Sequence, residues 1–579
     1  MSEALEISSP ELVKLGPEKG KLAAAVGRFW PEAIVVALVV ILWAPRLSGP
    51  IDLRWDASIY YVLGTSLATG HGYRILSEPG SPEALQYPPM LPAIVALSQR
   101  ALGSTDPAVV GPWLRISYAA VFVVYALAAF ALARRYLSVG FAVAAVALSL
   151  LQYHTLLFSD LLFAELPFAL ISVVFVLVTV NGSKVSRGWL RETMSFALAA
   201  AGFLLRTAGI ALLAAWVLEA LARRHWRLAF ARSLLALLPI LAWQTHVARV
   251  CGSYEYAHPA YEYQRAAYQF YNTSYADNAS LINPYKPELG RVNARALMER
   301  VVRNVLPMAK EVGQAITTGK DYWRELLVKS QQWTFGRNVI PPRVVLAPIM
   351  VFSVLVFVGI GVLAYRRAWL TVSVLIASLG LICTTPWPDQ FQRYLMPLSP
   401  FLAIAAMLAL SHSYGLLRRK IVRPVTQIIT QALIAGLISL SLILAAYTAG
   451  ELFYVRQHDG ASFVPGSGLV GQHFFNHDRR WTGWEQAIAW IDEHSTPNAI
   501  IATSASHLCY LRTGRRAVAP PVESDPVYAR YLLKAVPVSY VIVDRFYSIP
   551  PVENDAPGWH LVQSFDGIKL YRRTADVNQ

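Results

Sequence analysis

Long apolar blocks with few polar interruptions dominate the chain, among them Ala119–Ala133, Leu346–Ala364 and Ala432–Tyr447. A hydrocarbon core about 30 Å thick takes about 20 mostly apolar helical residues to cross, so these blocks predict transmembrane helices. The full pattern predicts eleven, near 31–47, 114–133, 139–158, 165–181, 193–205, 207–222, 229–247, 344–365, 369–384, 395–412 and 427–449. Past the last, the periodicity changes. Helical spacing from Trp484 to Glu493 is followed by strand-like runs at 499–503, 540–544 and 569–571, which predicts a small α/β domain.

Composition sharpens this picture. The 579 residues are 55% hydrophobic and 15% charged, against about 45–50% and about 25% in ordinary soluble proteins, which excludes a soluble or disordered chain. The 16 Trp and 28 Tyr suit a protein with two water–membrane interfaces, where amphipathic rings settle. A net charge of +15 would fit a nucleic-acid partner if it were gathered in one patch. It is instead spread over short connectors at 134–135, 184–191, 223–232, 366–367 and 418–423, which together carry nearly the whole excess. The positive-inside rule accounts for that without nucleic acid. It places the N-terminus in the cytoplasm and, after eleven spans, the C-terminus outside. The first 28 residues carry both signs of charge and precede a span flanked by Pro31 and Pro45, so a retained first helix is expected, not a cleaved leader.

The expected organisation is an α-helical polytopic membrane protein with three parts. These are a cytoplasmic tail (1–30), a transmembrane domain (31–453) with outer loops 48–113 and 251–343, and an extracytoplasmic α/β domain (454–579). Three cysteines, Cys251, Cys383 and Cys509, cannot form a disulfide framework; they read as free thiols, with a single Cys251–Cys509 bond as the alternative. No CxxC, HExxH, Walker or dinucleotide-glycine pattern is present. Chemistry should therefore be sought where the outer segments converge.

The first outer loop opens with Asp56, one turn before Tyr60, on a helical pattern of Ile59, Leu63 and Leu67 that Gly70 and Gly72 end; Tyr87-Pro88-Pro89 follows. An acid at a helix start serves either as a cap on the positive end of the dipole or as a catalytic carboxylate. The second outer loop supplies Asp160, a solvated or a site acid, and Glu165, which opens Glu-Leu-Pro-Phe as a cap or a site acid. His154 nearby reads as a satisfied polar residue.

This arrangement resembles the first outer loop of the GT-C membrane glycosyltransferases, in particular the protein mannosyltransferase and aminoarabinose transferase (family 39-like) group. It carries an Asp before a Tyr-bearing amphipathic helix, a Gly-x-Gly-Tyr break and a Tyr-Pro-Pro run. Here Ala57 follows Asp56 where the group has an acidic pair, and Tyr87 stands where it has Lys, so different donor contacts are implied. The resemblance implies transfer of a sugar from a polyprenyl-phosphate donor to a lipid, glycan or protein acceptor at the outer face, in a bacterial inner membrane. Asp56 would be the base, with Asp160 and Glu165 as further site acids and Tyr60 and Tyr87 beside the substrate. Arg206, in Phe203-Leu-Leu-Arg206-Thr207, lies between two short apolar runs where the chain must turn back. Arg393 lies in the Arg-Tyr-x-x-Pro run that enters a late helix. Both suit the leaving phosphate, with headgroup snorkelling for Arg206 and an Asp389–Arg393 pair as the rival readings. The three carboxylates are also candidate oxygen ligands for Mg²⁺ or Mn²⁺. The third outer segment is rich in Tyr from 254 to 285, read as sugar-stacking rings or an interfacial belt. The competing classes are a lipid or glycan flippase or transporter, which would carry charges within its spans and repeated halves, and an O-antigen-ligase-like enzyme.

Overall fold

A computed structural model of the chain describes residues 17–181, 188–335, 341–420, 424–458, 462–464, 468–470, 474–523, 525–544, 552 and 558–574. Residues 1–16 of the expected tail, and 182–187 and 421–423 of the basic connectors, lie outside the described residues. Among the described residues six helices are long and apolar enough to cross a membrane: Phe29–Arg46, Pro107–Ala133, Trp226–Cys251, Arg343–Tyr365, Pro388–Arg418 and Val425–His458. A seventh candidate is a broken one. Val139–Leu151 and Tyr153–Asp160 meet at 56°, because Gln152 is extended and its side chain caps the second piece through the Thr155 amide at 2.8 Å.

The other expected spans are helical but shorter: Glu165–Asn181, Gly188–Leu205, Ile210–Ala222 and Trp369–Cys383. At 1.5 Å per residue, the 13 residues of Ile210–Ala222 reach about 20 Å, less than a hydrocarbon core, so length and composition alone do not give eleven crossings. Arg206 stands at the expected reversal, where Gly188–Leu205 and Ile210–Ala222 turn through Thr207–Gly209. A Cβ on Gly209 would lie 2.3 Å from the backbone of Gly202 and Phe203, so the tight turn requires glycine. Gly359 does the same for a helix crossing, since a Cβ there would meet the Ala405 carbonyl oxygen at 1.9 Å.

The segments expected to lie outside fold onto the ends of these helices. Asp56–Ala68 is helical and is followed by Gly70 and Gly72 in the left-handed region at φ 82° and 80°, as the sequence predicted. A second helix, Met90–Leu102, packs against it, with Pro89 at its start. The segment 251–343 contains two helices the apolar pattern did not predict, Ala294–Ala315 and Lys320–Phe335. Asn293 caps the first through the Ala296 amide at 2.8 Å, and Asn304 fixes it to the Cys383 and Thr385 carbonyls.

The C-terminal part is a small α/β domain. Its strands are β1 (Ser462–Val464), β2 (Gly468–Val470), β3 (Ile500–Ala502), β4 (Ala517–Val518), β5 (Val538–Val543), β6 (Trp559–Phe565) and β7 (Ile568–Arg573). β1 and β2 form a hairpin. The other five form one sheet in the order β4-β3-β5-β7-β6, parallel across β4-β3-β5 and antiparallel beyond. The helix Arg479–His494 buries Trp484, Ile488 and Ile491 against it. Cys251, Cys383 and Cys509 are free.

Candidate active site

The chain reaches Asp56 through an unusual backbone. Trp55 sits at φ 54°, ψ −134°, a conformation that a non-glycine residue adopts at a cost of about 1–3 kcal/mol. Asn476, facing it from the C-terminal domain, is also at φ 54°. Arg54 holds both places. Its guanidinium is gripped by Asp52 at 2.7 Å and donates to the carbonyls of Asn476, at 2.9 Å, and Phe475. The strain therefore lies in the wall of one cavity, which both Trp55 and Asn476 line.

Asp56 is the first helical residue and not the cap, so its carboxylate is free for longer-range partners. Oδ2 accepts from Arg393 Nη2 at 2.5 Å, and Oδ1 accepts from the Tyr271 hydroxyl at 2.8 Å. Burial alone would raise this carboxyl, but the Arg393 charge and hydrogen bonds from Arg393, Tyr271 and Tyr87 hold it below the ordinary carboxylate range. Arg393 Nε donates to Glu165 Oε1 at 2.5 Å, and Arg206 Nη1 reaches the same oxygen at 3.1 Å. Glu165 is fully buried. The result is an alternating chain, Asp56–Arg393–Glu165–Arg206, that brings together four of the residues singled out from sequence. Tyr60 and Tyr87 pack beside it, tilted by 48° with ring centroids 4.8 Å apart, and Tyr87 and Tyr271 lie 6.1 Å apart.

Two cavities flank this chain. One, of about 520 Å³, is lined by Asp56 and Arg393 with aromatic and hydroxyl-bearing side chains, Trp55, Trp481, Ser58 and Ser504 among them. The other, of about 320 Å³, is walled by apolar side chains, including Phe168, Phe203, Ile240 and Trp243, with Arg206 at its edge and Tyr275 and Tyr394 beside it. Charged and hydroxylated matter fits the first, and an apolar chain fits the second.

Several expectations are corrected by this geometry. Asp160 is neither solvated nor at the cavities. It is buried where Arg115 reaches Oδ1 at 3.0 Å, with Arg46 at 3.9 Å and Arg456 at 3.8 Å, and its carbonyl accepts from the Asp52 amide at 3.1 Å. That cluster ties the first, second and last long helices together behind the site. Arg393 does not pair with Asp389, which is exposed and accepts from Gln390 Nε2 at 3.0 Å. The three carboxylates do not converge: Arg393 lies between Asp56 and Glu165, and Asp160 is enclosed by arginines. Among the described residues no group of three or more His, Cys, Asp or Glu is placed to hold a metal ion, so these three carboxylates do not fit Mg²⁺ or Mn²⁺. His154, read as structural, lines the first cavity.

Sequence reasoning missed two contributors. Tyr271 was one of eight tyrosines in the 254–285 run, and only its position singles it out. His507, from the C-terminal helix Ser506–Thr513, lines the same cavity as Asp56, and nothing local distinguishes it.

No family model matches the chain, and no curated protein is similar to it in sequence. Solved structures are similar in fold. ArnT from Cupriavidus metallidurans in the apo state aligns over 96% of this chain and 99% of its own, at 11% identity and a TM-score of 0.51. The same protein bound to undecaprenyl phosphate aligns over 94% and 98%, at 11% identity and a TM-score of 0.45. The oligosaccharyltransferase of Archaeoglobus fulgidus, tethered to an acceptor peptide, aligns over 90% of this chain and 69% of its own, at 14% identity and a TM-score of 0.49. The fold of this chain is thus like that of apo ArnT over nearly the whole length of both chains.

Proposed function

We propose that this protein is a membrane glycosyltransferase that moves a sugar from a polyprenyl-phosphate donor to an acceptor at the outer face of a bacterial inner membrane. Its N-terminus would be cytoplasmic, with the eleven helical segments acting as crossings and the α/β domain outside. The observation that carries this reading is the partly buried chain Asp56–Arg393–Glu165–Arg206, set between a polar cavity and an apolar one. A transporter reading would need charges along a path through the spans; these charges sit at the junction of two dissimilar cavities.

In this mechanism the polyprenyl tail occupies the apolar cavity and its phosphate lies against Arg206 and Arg393. The acceptor hydroxyl enters the polar cavity beside Asp56. The acceptor oxygen forms a bond to the anomeric carbon as the anomeric carbon–phosphate oxygen bond breaks. The electron pair leaves on the polyprenyl phosphate, where guanidinium groups stabilise the charge, and the hydroxyl proton passes to the Asp56 carboxylate. Glu165 is a positioning residue that holds both arginines. Tyr271 and Tyr87 orient Asp56. Asp160 holds Arg46, Arg115 and Arg456 and acts on the site only through the scaffold.

The test is transfer from undecaprenyl-phosphate-linked sugars in membranes. Asp56→Asn keeps the shape and removes the base, so turnover should fall about 100-fold or more with expression and folding intact. An Asn variant that kept over about a tenth of wild-type turnover would remove Asp56 from the role of base.

A further inference from the structure

Resting on that reading, we propose that His507 contacts the acceptor, its Nε2 hydrogen-bonding a hydroxyl of a polyhydroxylated, sugar-like ligand in the cavity it shares with Asp56 and Arg393.

His507 is brought to the cavity by the C-terminal domain but is oriented by the first outer loop. Its Nδ1 lies 2.7 Å from Ser77 Oγ, and the Ser77 carbonyl accepts from the Ala517 amide at 2.8 Å. The imidazole stands edge-on to Tyr271 with centroids 4.8 Å apart, and Tyr271 itself donates to Asp56. The ring is thus fixed by the same loop that carries Asp56. His507 is 3% exposed, lines the cavity, and its Nε2 has no hydrogen-bond partner among the described residues. A buried nitrogen left unpaired is costly, and a native site that retains one calls for an explanation. A ligand in the cavity would supply the partner.

The chemistry of the ring selects the class. Burial lowers its pKa to about 3, so the imidazole is neutral under physiological conditions, with one donor and one acceptor nitrogen. Ser77 can serve Nδ1 in either tautomer, which leaves Nε2 free to give or take a proton. A hydroxyl complements both states, whereas a phosphate only accepts and an ammonium only donates. The surrounding wall agrees. Ser58, Ser504 and Ser506 offer hydroxyls, and Trp55 and Trp481, edge to face at 6.0 Å, offer the aromatic surface on which the apolar faces of sugar rings pack.

The experiment uses the full chain in lipid nanodiscs, with a panel of methyl glycosides and, separately, undecaprenyl phosphate as probes. In wild-type protein with ¹⁵N-labelled histidine, at least one glycoside should shift the His507 Nε2 signal. His507→Phe should weaken that glycoside by about fivefold or more, the loss of one hydrogen bond, and His507→Gln should restore most of it. Both variants should bind undecaprenyl phosphate as wild type does. The proposal is overturned if no glycoside moves the ring signal, or if His507→Phe binds the panel as tightly as wild type. The wild-type signal decides even where the Phe variant does not fold. Failure of the transfer reading looks different: undecaprenyl phosphate would not bind wild-type protein, or Arg206→Ala would leave its binding unchanged.

Discussion

Replacing Arg393 with alanine removes a side chain that touches both Asp56 and Glu165, at 2.5 Å each. Deleting one partner of a buried ion pair costs about 3–5 kcal/mol. Here Glu165 would keep Arg206 at 3.1 Å and Asp56 would keep Tyr271 at 2.8 Å, which places the loss at the lower end, about 3 kcal/mol. A charge-assisted hydrogen bond to a phosphate is worth about 1.5–3 kcal/mol, so undecaprenyl phosphate should bind about 10–150-fold more weakly. Arg393→Lys, which keeps the charge but not the fork that reaches two acids, should fall between. The pH dependence follows from Asp56. Burial would raise its carboxyl, but Arg393 holds it below the ordinary range. The folded value is then lower than the unfolded one, so the pair contributes stability above the unfolded carboxylate pKa and loses it as pH falls through the lowered value. Without Arg393, burial is opposed only by hydroxyls, and the acidic limb of turnover should move to higher pH. Binding titrations in nanodiscs and a pH–rate profile with undecaprenyl-phosphate-linked sugars measure both effects. A folded Arg393→Ala protein with wild-type affinity for undecaprenyl phosphate and an unmoved acidic limb would refute the assignment.

Two further outcomes are expected. Asp160→Asn should lower the thermal-unfolding midpoint sharply, because Arg46, Arg115 and Arg456 would lose their shared counter-charge, while the protein that remains folded should, under the proposed reaction, keep its KM for the donor; a raised KM with an unchanged midpoint would return Asp160 to the site. In a cysteine-free background, single cysteines at His71 and Arg516, both exposed, should react with a membrane-impermeant thiol reagent in intact cells and one at Gly415 should not. Those positions avoid the strained left-handed backbone of Gly70 and Gly514, and labelling at 415 without 71 would place Asp56 in the cytoplasm and end the outer-face scheme.

What was legible in the sequence is what local pattern can carry. The helix that begins at Asp56 and stops at Gly70 and Gly72 declares itself by spacing and by the residues that tolerate positive φ. The reversal at Arg206 follows from two apolar runs too short to cross. What joins these pieces is not local. Arg393 meets Asp56 across 337 positions of chain, and Tyr271 meets it across 215; a single sequence has no term for such pairs. For the same reason Asp160 reads from sequence as a solvated or a site acid, since its three arginines stand at positions 46, 115 and 456. The helix Ala294–Ala315 differs in kind. Its apolar side at Val301, Met308 and Val312 was visible at helical spacing, but the search for long apolar blocks passed over an amphipathic helix.

The resting arrangement has a kinetic consequence under the proposed reaction. Asp56 and Glu165 balance Arg393 and Arg206, so the set is neutral as it stands, and the base is at its weakest because its own arginine holds the carboxylate. A donor phosphate entering from the apolar cavity competes with the carboxylates for the same guanidinium groups. As Arg393 turns toward the phosphate, Asp56 loses the contact that depressed its carboxyl, while the burial that raises it remains. Its affinity for a proton therefore rises when the donor is in place. An acceptor hydroxyl arriving earlier would meet a carboxylate still paired to arginine. The ion chain thus favours donor before acceptor, and it ties activation of the base to the presence of the sugar that the base serves to transfer.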